Sequence, residues 1–339
     1  MRKAIILVAV ILTVSCAMNA RQGTNGRPGW LNDPKSLYPD NMYLSAIGEG
    51  DTRRQAEADA ASALSRIFET HVQTQSTFNE HYYELVTGGQ ADAVTTTEQQ
   101  QDVTLTSDQT LLNVQYGESW TDERGRVHII GYIDRLHTGQ VYEEKVSKGA
   151  QQVRSFLNRG RQSKDLLDAY AYISAALVVA QCNDVLMNQL AIISPSMYEF
   201  VDLGYKLEDI IVEQRNTGQQ IGIEVQVTGD DGGKIAAALR ELLSAQGFAL
   251  RKGGQLKVIA SVQFEDVDLD KPNQAFVRWH LKVDVERTAG ESLVSIYEKQ
   301  REGSVNRDQA VAIAYREMDK KLKQVFMTQF MDYLAGLVK

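Results

Sequence analysis

The sequence is poor in cysteine, proline and histidine, and these shortages exclude several classes of protein. Its 339 residues contain two cysteines, five prolines and five histidines. Cys16 and Cys182 are too few for a scaffold held by several disulfides. No two histidines have the i, i+4 spacing of a helical zinc pair, and no Gly-x-Ser-x-Gly elbow occurs. We therefore predict no catalytic residues, no metal site, no cofactor and no enzyme activity.

Long apolar runs and excess positive charge are also missing. A helix needs roughly 20 apolar residues to span a bilayer. The most apolar segment after the N-terminus, 169–182, contains two tyrosines, so we expect a buried core helix there. The formal net charge is −8, from 36 Lys and Arg against 44 Asp and Glu. Because nucleic acids are bound by clustered Lys and Arg, we expect no nucleic-acid partner.

The N-terminus has the pattern of an export signal. Arg2 and Lys3 precede an uncharged apolar run, 4–12, that is too short to span a bilayer. We therefore predict a signal peptide over 1–15.

Cys16 is the predicted point of attachment. The small residues Val14 and Ser15 precede it, which resembles the lipobox read by the lipoprotein signal peptidase, although Thr13 stands where Leu is commoner. Acyl chains such as palmitate stabilise membrane binding by about 0.8 kcal/mol per buried methylene, so two or more chains anchor a protein stably. The alternative is an ordinary cleaved signal peptide in which the cysteine is incidental. Ala17, where Asp would indicate inner-membrane retention, favours the outer membrane; the periplasmic or surface face is left open.

The body is predicted to be α+β, in three parts after a tether and lead-in at 16–41. The first part, 42–135, has strand-helix-strand-strand order. Its first strand turns at Gly48-Glu49-Gly50, and Thr52 with Gln55 forms a capping box for an Ala-rich helix that runs to about Leu85. Alternating apolar residues predict antiparallel strands around 103–105, 112–116 and 127–133.

These segments resemble the LPP-twenty family of bacterial envelope lipoproteins. Members open with a Trp-containing lead-in, a Tyr-rich strand ending in Gly-x-Gly, and an Ala-rich helix, and a strand pair comes later. The matching segments are Trp30-Leu31-Asn32, Tyr43-Leu44-Ser45-Ala46-Ile47-Gly48-Glu49-Gly50, and Tyr132-Ile133-Asp134-Arg135 followed by Val141-Tyr142-Glu143-Glu144-Lys145-Val146. The resemblance covers roughly 28–150 and implies an outer-membrane or surface lipoprotein, with no catalytic residues to carry over.

Helical periodicity predicts a central hairpin or bundle over 136–217. A first helix breaks near Gly160, a second runs from Lys164 to about Ile193, and a third covers 197–215. Asn216-Thr217-Gly218 then separates this part from the third, 218–339, which is predicted to be an antiparallel α+β domain that folds alone. Its last helix starts at Asn306.

Three segments partly resemble known ligand-binding loops. Gly48-Glu49-Gly50 lacks the third glycine of a dinucleotide loop, where Arg53 stands. Gly229-Asp230-Asp231-Gly232-Gly233-Lys234 lacks the spacing and hydroxyl of a phosphate loop, so a turn and helix N-cap is the better interpretation. Glu265, Asp266, Asp268 and Asp270 are typical of an acidic surface loop, with calcium binding as the alternative.

Two hypotheses about function follow. The first is a non-enzymatic envelope protein with a structural, assembly or interaction role, bound to the membrane through Cys16 and to an envelope protein or the cell wall. The second is an envelope hydrolase that acts on cell wall or glycan through two carboxylates facing one cleft.

Overall fold

The computed structural model describes residues 26–69, 80–87, 113–269, 271 and 273–339. The chain divides into two compact units. The described residues of the first are 26–67 and 113–135, and those of the second are the remainder. The predicted α+β class is confirmed in both units. The predicted strand at 103–105 lies outside the described residues.

The first unit is a three-stranded antiparallel sheet with one helix. Strand β1 spans Tyr43–Gly50, helix α1 spans Arg53–Glu69, β2 spans Gln115–Thr121 and β3 spans Val127–Asp134. The strand order is β1-β3-β2. Both pairings are antiparallel, which confirms the predicted strand-helix-strand-strand order.

Helix α1 lies close to β1 because β1 presents glycine to it. A Cβ atom at Gly48 would collide with the backbone of Ala56 and Ala60, and both alanines are fully buried. The predicted turn at Gly48-Glu49-Gly50 is therefore wrong: these residues are the end of β1, where glycine permits close approach of a helix rather than a bend.

The start of α1 is confirmed as predicted. The Thr52 backbone N–H donates to Gln55 Oε1 at 3.1 Å, and the Gln55 N–H donates to Thr52 Oγ1 at 3.3 Å. This reciprocal pair is a capping box. The helix is described to Glu69, and α2 then spans Glu80–Thr87, so the prediction of one helix to about Leu85 falls partly outside the described residues.

The lead-in covers the sheet of the first unit with short 3-10 turns at Gly29–Leu31 and Pro34–Ser36. Trp30 is buried, with 3% of its surface exposed. Tyr38 stacks on Tyr132 with ring centroids 4.4 Å apart and meets the edge of Tyr43 at 5.3 Å. The lead-in therefore buries Trp30 and adds Tyr38 to a cluster of three tyrosines.

Within its described residues, the helical part of the second unit contains four helices besides α2. Helix α3 spans Arg135–Gln162, α4 spans Leu166–Ile193, α5 spans Pro195–Phe200 and α6 spans Leu207–Gln220. The predicted third helix over 197–215 is wrong in its bounds. Non-helical residues separate α5 from α6, and α6 continues through the predicted link Asn216-Thr217-Gly218.

Helix α4 is the central helix of this unit. Among the described residues it alone is long and apolar enough to cross a bilayer, yet 56% of its most apolar window is buried within the protein. Its Tyr170, Ala176 and Val179 lie in the main hydrophobic core. The prediction of a buried core helix is confirmed.

A five-stranded sheet follows the helices. Strand β4 spans Gly222–Thr228, helix α7 spans Lys234–Ala245, β5 spans Ala249–Leu250, β6 spans Leu256–Val267, β7 spans Ala275–Arg287 and β8 spans Ser292–Ser304. The order is β5-β4-β6-β7-β8. Strands β6, β7 and β8 are antiparallel as predicted, but β4 is parallel to β5 and β6. The prediction of an antiparallel domain therefore missed the parallel pairs. Helix α7 forms a crossover connection between β4 and β5, so the two strands run in the same direction.

The C-terminal helix begins at the predicted cap. Asn306 Oδ1 accepts a hydrogen bond from the Gln309 N–H at 2.9 Å. Helix α8 spans Arg307–Lys321, a π turn covers Leu322–Phe326, and α9 spans Met327–Leu337.

One hydrophobic core joins the helices and the sheet of the second unit. The helices contribute Val153, Leu157, Tyr170, Phe326 and Phe330, and the strands contribute Ile223, Val258, Trp279 and Val283. These side chains come from both sides of the predicted boundary at 218. Independent folding of 218–339 stays a prediction.

Candidate functional site

Cys16, the predicted lipidation site, lies outside the described residues. The other cysteine, Cys182, is buried on α4 with 6% of its surface exposed. Burial raises the pKa of the Cys182 thiol to about 11, against the opposing effects of a hydrogen bond with Tyr83 and the charge of Lys145. A thiol that stays protonated is a poor nucleophile, so packing is its role here, as predicted.

The glycine-rich loop 229–234 caps a helix, which confirms the prediction of a turn and N-cap. Asp230 Oδ2 accepts a hydrogen bond from the Ala236 N–H at 2.9 Å. Gly232 and Gly233 have φ angles of +81° and +67°, which favour glycine. Because a carboxylate already occupies the N-terminal end of α7, the loop does not offer that end to a phosphate.

Two histidines lie beside carboxylates. His128 is placed between two strands, with Nε2 at 3.4 Å from Asp122 Oδ2 and Nδ1 at 3.7 Å from Glu49 Oε2. His280 Nε2 lies 3.5 Å from Glu265 Oε1, and its Nδ1 lies 2.6 Å from the Tyr297 hydroxyl. Within the described part of the chain, no three His, Cys, Asp or Glu side chains are grouped to hold a metal ion.

The predicted acidic loop is corrected by the structure. Glu265 and Asp266 lie in β6, which extends to Val267 because it pairs with β7 over that whole length. Glu265 forms an ion pair with Arg278 at 3.2 Å, and Asp266 forms one with Arg307 at 2.7 Å. Asp270 lies outside the described residues. Two of the four carboxylates therefore have cationic partners within the protein.

A carboxylate pair that the sequence did not single out lies at the start of α4. Asp165 caps α4 through the N–H groups of Leu167 and Asp168, and it accepts a hydrogen bond from Arg287 at 2.7 Å. Burial acts to raise the pKa of Asp165, but Arg287 and the two N–H donors outweigh it and lower that pKa. Burial, with the charge of Asp165, raises the pKa of Asp168.

The contacts of Asp165 are all with groups of the protein itself, as in a residue that stabilises the fold. Both oxygens of Asp165 are occupied, one by the helix N–H groups and one by Arg287. The sequence offered one signal, since Asp165 immediately precedes an apolar helix and is a preferred N-cap residue. Nothing local indicates Arg287, which lies 122 residues further along the chain.

Two open hollows mark the surface of the second unit. One, of about 330 Å³, lies between α6 and the end of α7 and is lined by residues that include Gln214 and Arg215. The other, of about 520 Å³, lies between α7 and α8, where Lys234 Nζ is 4.6 Å from the centre of the Tyr315 ring. Asp319 is the one carboxylate that lines either hollow. Neither therefore supplies the facing carboxylate pair that the hydrolase hypothesis requires.

The first unit and its lead-in are the part of the chain that matches a known family. A Trp-containing lead-in, an antiparallel sheet and an Ala-rich helix are arranged as expected of an envelope lipoprotein domain. Residues 28–133 match the model of the LPP20 lipoprotein family, so this N-terminal part of the chain is similar to LPP20 lipoproteins. The match begins just before Trp30 and ends within β3.

Other comparisons give weaker likenesses. The secreted protein HP1454 from Helicobacter pylori has 12% sequence identity and a TM-score of 0.43, over 84% of this chain and 98% of that one. A minor lipoprotein from Acinetobacter baumannii has 10% identity and a TM-score of 0.21, over 35% of this chain and 90% of that one. At these TM-scores neither structure establishes fold or function. Comparison with curated protein sequences gives no significant match.

Proposed function

We propose that this chain is a lipid-anchored protein of the bacterial cell envelope with a structural, assembly or interaction role and no catalytic activity. The observation that carries the proposal is the LPP20 lipoprotein match at 28–133, which begins a short distance after Cys16. The intervening sequence is polar and contains glycine, as a tether requires. Acyl chains on Cys16 would hold the two folded units at the membrane without a spanning helix.

The contacts of three carboxylates argue against a catalytic role for them. The carboxylates of Asp165, Glu265 and Asp266 are each engaged by an arginine. Ionised groups held in this way stabilise a surface, whereas a general acid or base must exchange a proton with a substrate.

Lipidation is tested by labelling cells with a fatty-acid probe that carries an alkyne. Wild-type protein should be labelled and should sediment with membranes, and Cys16→Ser should lose the label and either leave the membrane or accumulate unprocessed. Cys182→Ser is the matched control, because it removes the other thiol and should keep the label. Labelling of Cys16→Ser at the wild-type level would contradict the anchor.

The outer membrane is the proposed location, supported by Ala17 at the position after the lipidated residue. In a Gram-negative host, membrane fractionation should find the wild-type protein in the outer membrane. Ala17→Asp should move it to the inner membrane. Digestion of intact and permeabilised cells with a protease then distinguishes surface display from a periplasmic position. Recovery of the wild-type protein in the inner-membrane fraction would contradict this location.

A cell-wall partner and the hydrolase hypothesis can be tested together with purified peptidoglycan. Binding without chemistry predicts that the protein sediments with the sacculi and that no soluble fragments are released. An envelope-protein partner predicts no sedimentation and a cross-linked product in intact cells. Steady release of soluble fragments would contradict the non-enzymatic role.

A further inference from the structure

The second half of strand β8 sorts its charges by sign between the two faces of the five-stranded sheet. It reads Glu298-Lys299-Gln300-Arg301-Glu302, and successive side chains of a strand point to opposite faces. Ile296 is buried on the face that α7, α8 and α9 cover, so Glu298 and Glu302 lie on that same face. Lys299 and Arg301 lie on the other face, here called the outer face, where both are exposed.

The carboxylates of β8 and its cations differ in their partners. On the helix-covered face Glu298 forms an ion pair with Lys321 at 3.0 Å, and Glu302 lies 3.5 Å from the indole nitrogen of Trp279. Among the residues that the structure describes, neither Lys299 nor Arg301 forms an ion pair or a side-chain hydrogen bond. The charges of these two cations are therefore available to a partner.

Cationic side chains also lie directly opposite one another on the outer face. The cross-strand partner of Arg301 is Arg278, and the partner of Lys299 is His280. Like charges in directly opposite positions of a sheet repel each other and are destabilising. Glu265 partly neutralises Arg278 at 3.2 Å, but it lies on β6, on the side away from Arg301. Positive charge is therefore left over at the β8 side of the face.

The opposite end of the same face has the usual complementary arrangement. Lys257 of β6 lies opposite Glu224 of β4 on one side and opposite Glu286 of β7 on the other. The end around Arg301 is thus the one that is arranged at a cost to folding. Local features that oppose folding are expected mainly at functional sites.

The outer face around Arg301 is a basic patch in an acidic protein. We call its exposed side chains on β7 and β8 the basic face: Arg278, Lys282, Tyr297, Lys299 and Arg301. Two carboxylates accompany them, Glu265 beside Arg278 and Asp284 beside Lys282, the latter at 2.8 Å. The four cations exceed these carboxylates, whereas the formal net charge of the chain is −8.

We propose that the basic face binds the phosphate groups of anionic phospholipids and so places the outer face of the sheet against a membrane surface. Phosphates complement the two cations that have no carboxylate beside them in the described part of the chain. Lys and Arg side chains are attracted to an anionic membrane within about a Debye length of its surface. Because the rest of the chain is acidic, the same membrane repels it, and attraction at one face also fixes the orientation of the second unit.

The shape of the basic face favours a membrane over a small anion. Its cations lie on the surface of a sheet, whereas the two hollows of the second unit lie beside α6, α7 and α8. Tyr297 is 56% exposed, with its hydroxyl 2.6 Å from His280 Nδ1. Tyrosine has an apolar ring and a polar hydroxyl and is enriched where lipid headgroups meet water. An array of lipid phosphates can contact all of these side chains together, whereas a single phosphate ion cannot.

Vesicle binding without an acyl chain tests the proposal independently of lipidation. The processed chain, from residue 16 and carrying Cys16→Ser, is sedimented with vesicles of equal parts phosphatidylglycerol and phosphatidylcholine, or of phosphatidylcholine alone. We expect binding to the first vesicles and not to the second. Raising the salt from about 0.1 M to about 1 M shortens the Debye length from about 10 Å to about 3 Å and should release the protein. Failure to bind the anionic vesicles at the lower salt would overturn the proposal, whether or not Cys16 is lipidated.

Substitution locates the binding. Lys299→Gln combined with Arg301→Gln should weaken vesicle affinity by at least about tenfold, since each cation near an anionic surface contributes about fivefold. Lys234→Gln combined with Arg316→Gln is the matched control, because it removes the same two charges from exposed positions on α7 and α8 and should leave the affinity nearly unchanged. Lys299→Arg combined with Arg301→Lys keeps both charges and should bind like wild type. Equal losses in the two Gln pairs would show a response to net charge alone and would overturn the basic face.

Folding and a nucleic-acid partner are checked with the same proteins. Circular dichroism melting of the Lys299→Gln, Arg301→Gln protein should be no lower than that of wild type, because Arg301 no longer opposes Arg278. If the pair fails to fold, the single substitutions take its place, with a loss of about fivefold expected for each. Tighter binding to a single-stranded oligothymidylate than to the anionic vesicles, lost in the same variants, would assign the face to nucleic acid and overturn the membrane proposal.

Discussion

The Asp165 carboxylate accepts a hydrogen bond from the Arg287 guanidinium at 2.7 Å, and this contact joins the start of α4 to the end of β7. The same carboxylate accepts hydrogen bonds from the N–H groups of Leu167 and Asp168, at 2.8 and 3.3 Å. One side chain therefore acts both as a helix cap and as an ion-pair partner. The two roles can be separated by substitution.

Asp165→Asn should lower the free energy of unfolding by about 0.5–1 kcal/mol, because it removes the charge but keeps a capping oxygen, and the partly exposed pair is weakened by solvent. Asp165→Ala should lower it by about 1 kcal/mol more, because the cap is also lost. Urea denaturation measures both. Asp168→Asn is the control and should cause no loss. Equal stability of the Asn and Ala variants would show that the cap contributes nothing.

The dependence on pH should have opposite signs for the two aspartates. The pKa of Asp165 is lowered in the folded state, so its stabilisation is present above the unfolded value of about 3.9 and is lost as pH falls through the folded pKa. The advantage of wild type over Asp165→Asn should therefore disappear in acid. The pKa of Asp168 is raised, so wild type should lose stability relative to Asp168→Asn as pH rises past about 4. Parallel pH profiles for the two variants would contradict this assignment.

The close approach of α1 to β1 predicts an intolerant glycine. Gly48→Ala should destabilise the first unit by at least about 1–3 kcal/mol, because the added methyl group meets the backbone of Ala56 and Ala60, which cannot rotate away. Gly336→Ala is the control: it lies in α9 with nothing within 4 Å of the new atom and should be neutral or stabilising by up to about 1 kcal/mol. Thermal melting of both variants is the measurement. A Gly48→Ala variant as stable as wild type would mean that α1 can shift on the sheet.

The features that the sequence predicted correctly depend on neighbours within a few residues. The capping box of Thr52 with Gln55 and the N-cap of Asn306 with Gln309 each join residues three positions apart, and both are present in the structure. The alternation along β7 predicted a strand with one buried face, and Trp279 is fully buried. Local periodicity is enough for such elements because each encodes its own inward side.

The features that were missed depend on partners distant in sequence. Gly48-Glu49-Gly50 has the composition of a turn, and only the position of α1 makes it part of a strand. The parallel pairing of β4 with β6 depends on the crossover through α7. The contact between Asp165 and Arg287 has no local signature. These arrangements are decided by tertiary packing, which single-residue patterns do not encode.

The shared core of the second unit bears on whether 218–339 folds alone. Tyr170 on α4 lies with its ring centroid 4.6 Å from that of Phe248, and its hydroxyl donates to the Gln246 carbonyl at 2.7 Å. Gln214 on α6 donates in turn to the Tyr170 hydroxyl. A fragment that starts at 218 loses these contacts and the ion pair of Arg287 with Asp165. It keeps Trp279 with the strands and α8 around it.

We expect the fragment 218–339 to unfold cooperatively, but at a lower temperature than the fragment 136–339. Its sheet keeps the apolar face that α7, α8 and α9 cover, and burial of each large side chain there stabilises by about 1.5–3 kcal/mol. Loss of Tyr170 should lower the melting temperature of the short fragment, and because Phe248 keeps only Phe330 beside it, at 5.9 Å between ring centroids, Phe248→Ser should destabilise the short fragment less than the long one. In 136–339 the same substitution should cost about 3 kcal/mol or more, because a cavity would open beside Tyr170. A short fragment without a cooperative transition in calorimetry would show that the sheet depends on α4, and that the two predicted parts are one folding unit.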